Sequence, residues 1–150
     1  MDRPDERTAR RGPCRSPPRA TSGSYARPVF SRILVATDGS GTAARAVDQA
    51  VELAAAQGAT LTILSAGPEA QQVVDAELVR LAGSGVPLEP AVSAGDPAAS
   101  IVEAAAAGGH DLVVIGNAGM TGPRHLTSLG SVPNKVSHSI GCSLLIVRTT

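Results

Sequence analysis

The chain has 150 residues, 43% of them apolar, with one Tyr, one Phe and no Trp. That is enough for one domain with a real core, but the core must be aliphatic, and aromatic platforms for stacking single-stranded nucleic acid are excluded. The formal net charge of zero divides unevenly: residues 1–28 carry seven Arg against Asp2, Asp5 and Glu6, for +4, while residues 29–150 carry six basic and ten acidic residues, for −4.

The leader, "MDRPDERTARRGPCRSPPRATSGS", is rich in Arg, Pro, Ser and Thr and nearly free of large apolar residues. It cannot bury enough surface to offset its ordering entropy, so residues 1–28 are expected to be a disordered Arg/Pro-rich extension. Such a segment is either a basic tether or an idle extension. It lacks the apolar centre of a secretory signal, and no stretch of the chain reaches the ~18 apolar residues of a membrane span. Two cysteines, Cys14 and Cys142, are too few for a disulfide scaffold. Together these point to a cytoplasmic protein without a membrane partner.

From Phe30 the pattern changes. "SRILVATD" is the continuous aliphatic run of a buried strand. In "TAARAVDQAVELAAAQG", Ala43, Ala46, Val47, Ala50 and Ala54 recur at helical spacing on one face, and Gly58 supplies a C-terminal cap. "ATLTILSA" is the second strand and "PEAQQVVDAELVRLAGSG" the second helix. "VPLEPAVSA" is a third strand, placed near a sheet edge by Pro87 and Pro90. "GDPAASIVEAAAAGG" is a helix with a clear start, Asp96 as N-cap and Pro97 at the first helical position. "HDLVVIGN" is a fourth strand buried on both faces. After a glycine-rich loop, "SVPNKVSHSIG" is a fourth helix with Val132, Val136 and Ile140 on one stripe and Gly141 closing it. "CSLLIVRT" is the last strand, with Cys142 as a small buried hydrophobe.

Strict alternation of buried strands and helices predicts a doubly wound α/β domain over residues 29–150, an open five-stranded parallel sheet with helices on both faces, Rossmann-like in outline. Ligands of such sheets sit beyond the strand C-termini where the winding reverses. Two segments fall there.

The first is "TDGSG" after the first strand. Gly39 to Ala44 can be parsed as G-x-G-x-x-A, a dinucleotide fingerprint. Asp38 opposes that parse, because its carboxylate would repel a pyrophosphate, and no acid ends the second strand. A carboxylate at this place suits ribose hydroxyls or an exocyclic amine. It suits equally a purely local role, in which Asp38 caps its own turn.

The second is "GNAGMTGPRHLTSLGS", residues 116–131. Gly130 and Ser131 lead into a helix whose free N–H groups and positive dipole end attract anions. Arg124 and His125 lie within the loop and could face phosphates. The alternative is a flexible connection in which Ser131 is an ordinary N-cap, although loops of this length are uncommon without function. No Walker A loop occurs. His110 stands at a helix–strand junction as a cap rather than a base, His138 is expected on a solvated face, and the histidines are too scattered for a metal site.

"ILVATDGS", "GNAGMTG" and "GSVPNKVSHSIGCSLLIVR" resemble the universal stress protein family, over about residues 30–150. The family's glycine signature is G-x2-G-x9-G-[ST]. The resemblance implies the open, adenine-nucleotide α-hydrolase-like sheet, binding of ATP (with or without Mg²⁺) or cyclic AMP, and a homodimer formed through the last strand. It implies that Asp38 holds the adenosine end, Ala66 lines the base pocket, Gly116 and Gly119 pass under the ribose and α-phosphate, and Gly130, Ser131 and Val132 hold the outer phosphates. The chain departs from the pattern in having ten residues between Gly119 and Gly130, in Thr37 where Pro is frequent, and in a short segment after the second strand. The expected function is an adenine-nucleotide-binding regulatory protein of the stress response. The alternatives are a slow ATPase, for which no dedicated catalytic set is seen, and a dimeric interaction module without nucleotide.

Overall fold

The computed structural model describes residues 29–117 and 129–149. The expected disorder of residues 1–28 and the placements of Gly119, Arg124 and His125 lie outside the described residues. The elements alternate as β1 (Arg32–Ala36), α1 (Gly41–Gln57), β2 (Thr60–Ala66), α2 (Ala70–Arg80), β3 (Leu88–Ser93), α3 (Pro97–Ala107), β4 (Leu112–Gly116), α4 (Ser131–Ser139) and β5 (Ser143–Val147). They form one five-stranded sheet in the order β3-β2-β1-β4-β5, with every pairing parallel.

The central strands bury both faces because parallel strands are covered on each side by their crossover helices. Successive side chains of β1 point to opposite faces, and the burial follows. Ile33 and Val35 pack with Leu61, Ile63 and Val114 beneath α1, which contributes Ala46, Val47, Ala50 and Ala54. Leu34, with Val113 and Ile115, packs on the other face with Ala98, Ile101 and Ala105 of α3 and Val136 of α4. The small residues of α1 let that helix lie close to the sheet, which is how a core without large aromatics fills its volume.

Most helix boundaries follow local chemistry. Asp96 caps α3, accepting a hydrogen bond from the Ala99 amide at 3.0 Å, with Pro97 just inside. Gly58 ends α1 in the left-handed region at φ +65°. At the edge, β3 carries Pro90 opposite Ile63, as expected of a residue that cannot donate to a ladder.

Three expectations are corrected. The fourth helix is closed by Ile140, which turns to extended backbone, and Gly141 is not in the left-handed conformation of a glycine cap. Cys142 precedes β5 and is half-buried rather than buried. The second helix stops at Arg80, and residues 81–83 run as a turn.

Candidate functional site

The winding reverses between β1 and β4, which pair directly through Val35 and Val114. Their C-terminal ends therefore bring the Thr37–Ser40 turn beside Gly116 and Asn117, in the crevice where doubly wound sheets take ligands.

The β1–α1 turn is closed by its own side chains. Thr37 continues the sheet, its amide donating to the Leu64 carbonyl at 3.0 Å, and its hydroxyl accepts from the Gly39 amide at 3.1 Å. Asp38 is exposed, and its Oδ1 accepts from the Ser40 amide at 2.9 Å. Ser40, almost fully buried, caps α1 by accepting from the Ala43 amide at 3.1 Å. The local role foreseen for "DGS" is thus present, and it engages one carboxylate oxygen of Asp38. Gly39 sits at φ +80°, and a Cβ there would meet Cγ2 of Val73 at 3.0 Å. The turn is therefore pinned against α2.

On the other side of the reversal, the Asn117 amide continues the ladder beyond Gly116 by donating to the Val147 carbonyl at 2.9 Å. The Gly130 amide donates to the Asn117 carbonyl, also at 2.9 Å, so the start of α4 is tied to the end of β4. Gly130 is the N-cap of α4 and has no side chain to cap it, and among the described residues no side-chain bond to this helix start is seen. Pro133 in the first turn brings no N–H, which leaves the amides of Ser131 and Val132 as that turn's donors. A helix start whose N-cap brings no side chain favours an anion through its N–H groups and its dipole. Ala66 ends β2 on the far side of β1, half-buried.

Two residues of this end were not singled out from the sequence. The side-chain Oδ1 of Asn117 accepts from both the amide and the hydroxyl of Thr149, at 2.9 and 3.0 Å. Arg45 on α1 donates to the Thr149 carbonyl at 3.3 Å. The segment after β5 is thereby bound to the crevice from both sides. The one sequence signal for Asn117 was its place at the end of a buried strand.

The family profile described as Universal stress protein family matches residues 30–79 and 65–148. The chain is 33% identical over 149 residues to universal stress protein YxiE of Bacillus subtilis (strain 168), a match covering 80% of this chain and 100% of that protein. The chain belongs to the universal stress protein family. Among solved structures, a universal stress protein in complex with cAMP superposes with a TM-score of 0.69 at 34% identity, covering 81% of this chain and 98% of that one. The universal stress protein UspA from Lactobacillus plantarum superposes with a TM-score of 0.64 at 26% identity, covering 79% and 98%.

Among the described residues no three His, Cys, Asp or Glu side chains cluster to hold a metal ion, and no helix is long and apolar enough to cross a membrane. His138 is exposed on α4. His110 is almost fully buried at the opposite end of the sheet. Burial pushes its imidazole below the ordinary histidine value, with Arg32 adding to the effect. Burial likewise pushes the Cys142 thiol up, with Asp111 adding to it.

Proposed function

We propose that this universal stress protein binds an adenine nucleotide, ATP or cyclic AMP, in the crevice between β1 and β4, and that the nucleotide acts as a regulatory ligand rather than a turned-over substrate. The observation that carries the reading is the meeting, at the reversal point, of the Asp38 turn with an α4 N-terminus whose N-cap, Gly130, brings no capping side chain. A relative at 34% identity was solved in complex with cAMP, which supports the ligand class.

In this reading the second oxygen of Asp38 accepts from ribose hydroxyls or the adenine amine, and Ala66 lies along the base. Gly116 and Gly119 leave room for the ribose and α-phosphate. Gly130, Ser131 and Val132 receive the outer phosphates through backbone N–H groups and the Ser131 hydroxyl, with Arg124 and His125 contributing from the loop. A Mg²⁺ ion bound with ATP would neutralise phosphate charge, with the Ser131 hydroxyl as its nearest protein ligand. A homodimer through β5 is part of the reading, supported by the position of β5 at the sheet edge and by Leu145, which is 37% exposed there.

The test is calorimetric titration of the full chain with ATP and with cyclic AMP, repeated on Asp38→Ala and Gly130→Ala. Saturable binding that weakens about tenfold or more in each variant, roughly 1.4 kcal/mol, supports the pocket, and the tighter nucleotide identifies the ligand. Absence of heat and of thermal shift with both nucleotides refutes it.

A further inference from the structure

At the end of the sheet opposite the crevice, His110 stands immediately before β4 and is 9% exposed. Its Nδ1 lies 3.2 Å from the Ala104 carbonyl oxygen in the last turn of α3. Its Nε2 lies 2.8 Å from Oγ1 of Thr62 in β2. That same Oγ1 lies 3.3 Å from Oε2 of Glu89 in the edge strand β3, and Glu89 in turn accepts from Arg32 of β1 at 3.0 Å. The ring is seated against Gly108, where a Cβ would fall 2.4 Å from Cε1 of the imidazole. A side chain at position 108 would therefore displace the ring.

Counting protons along this chain gives an uneven result. Three contacts need three hydrogens: imidazole to Ala104, imidazole to Thr62, and Thr62 to Glu89. A carbonyl and a carboxylate can only accept. A neutral imidazole and one hydroxyl supply two hydrogens, so one contact is always an acceptor facing an acceptor. With Nδ1 protonated toward Ala104, the Thr62 hydroxyl must turn to Nε2 and leave Glu89. With Nε2 protonated toward Thr62, the lone pair of Nδ1 faces the Ala104 carbonyl. The imidazolium supplies the third hydrogen and satisfies every contact at once.

We propose that His110, Thr62 and Glu89 form a proton-operated relay that fastens the edge strand β3 to the interior of the sheet: protonation of His110 turns the Thr62 hydroxyl from the imidazole to Glu89. In acid, Nε2–H donates to Thr62 and Thr62 donates to Glu89. As the ring loses its proton, the hydroxyl returns to Nε2, and Glu89 is held by Arg32 alone. No bond other than hydrogen bonds is made or broken, and the proton is exchanged with solvent.

The charged groups facing the ring are Arg32 from β1, which opposes protonation, and Glu89 from β3, which favours it. The helix α3 offers the Ala104 and Ala105 carbonyls, both favouring the charged form, while its own Glu103 is exposed. Asp111, next in the chain, turns its carboxylate onto the amides of Ser31 and Arg32, at 2.8 and 3.1 Å. Burial sets the ring below its ordinary value, and the relay recovers part of that loss.

The test is an NMR pH titration of the His110 ring in the full chain, assigned by His110→Gln, in the parent and in Thr62→Val, Thr62→Ser, Glu89→Gln and the Thr62→Val/Glu89→Gln double variant. We expect Thr62→Val and Glu89→Gln each to lower the His110 midpoint by about one unit, a tenfold loss of proton affinity. Thr62→Ser, which keeps the hydroxyl, titrates as the parent does, and Glu89→Gln adds little once Thr62 is Val. The proposal is overturned if Glu89→Gln shifts the midpoint equally with and without the Thr62 hydroxyl, since the carboxylate would then act only through space. It is overturned equally if Thr62→Val leaves the midpoint unchanged. Should the Val variant fail to fold, the Glu89 carboxyl carbon in the parent decides. Its shift must change with the same midpoint as His110, and a flat trace across that midpoint rejects the relay.

Discussion

Replacing Gly39 by Ala perturbs the turn that presents Asp38, and the structure separates two costs. The first is backbone strain, because φ is +80° and an L-residue in the left-handed region loses about 1–2 kcal/mol relative to Gly. The second is steric, since the new Cβ would stand 3.0 Å from Cγ2 of Val73 on α2 and 3.4 Å from Cγ1, so helix or turn must give by a few tenths of an ångström. A misfit of that size in a packed contact adds about 1 kcal/mol, the low end for overpacking. Gly58→Ala is the internal control, because its φ of +65° imposes the same strain while its Cβ would meet nothing within 4 Å. We therefore expect urea denaturation to give a loss of about 2–3 kcal/mol for Gly39→Ala and about 1–2 kcal/mol for Gly58→Ala. In a double-mutant cycle, Val73→Ala removes the colliding methyls, and Gly39→Ala should then cost about 1 kcal/mol less than in the parent. If Gly39→Ala is no worse than Gly58→Ala, or is additive with Val73→Ala, the close approach of the turn to α2 is not what selects glycine at position 39.

Two further outcomes follow from the same geometry. Asp96→Ala removes the acceptor for the Ala99 amide, and urea denaturation should show a stability loss of about 1 kcal/mol, as loss of an N-cap commonly gives. His110 is depressed in the folded state, so its contribution is present in full above the unfolded value of about 6.5 and is lost as pH falls through the folded value. Between pH 7 and pH 5 the urea midpoint of the parent should therefore fall more than that of His110→Gln. Parallel slopes would show that His110 is not the titrating group.

The central strands were legible because parallel strands buried on both faces must be continuously apolar, and "ILVA" in β1 and "LVVI" in β4 are. Helix boundaries were legible where a cap is a local chemical fact, as at the start of α3 with Asp96 and Pro97 or at the end of α1 with Gly58. The end of α4 was not, because Gly141 only permits a left-handed cap and does not impose one. The chain had already turned to extended backbone at Ile140. Asp38 illustrates a different limit. Its local hydrogen bond to the Ser40 amide was readable from "DGS", but that bond accounts for only one oxygen of the carboxylate. The contacts of His110 to Thr62, 48 residues away, and of Asn117 to Thr149, 32 residues away, leave no periodic trace, since they depend on which strands become neighbours. Sheet order, unlike strand identity, is decided by tertiary packing.

The two ends of the sheet differ in a way that bears on function. At the N-terminal end the polar groups are mutually engaged: Arg32 bonds the Gly108 carbonyl and Glu89 at 2.9 and 3.0 Å, and Asp111 receives two amides. At the C-terminal end the corresponding groups are tied only in part. Asp38 turns one oxygen inward, and α4 begins at Gly130, which has no side chain to cap it. Partly engaged donors at a helix start, held in place by the Gly130–Asn117 bond, are arranged for an anion before it arrives and need little reorganisation to receive one. Substitutions at the two ends should therefore separate cleanly. Those around Arg32 and Asp111 should act on stability and its pH dependence, and those at Asp38 and Gly130 on nucleotide affinity. A variant at one end that moved both properties by comparable amounts would mean that the sheet transmits strain between them.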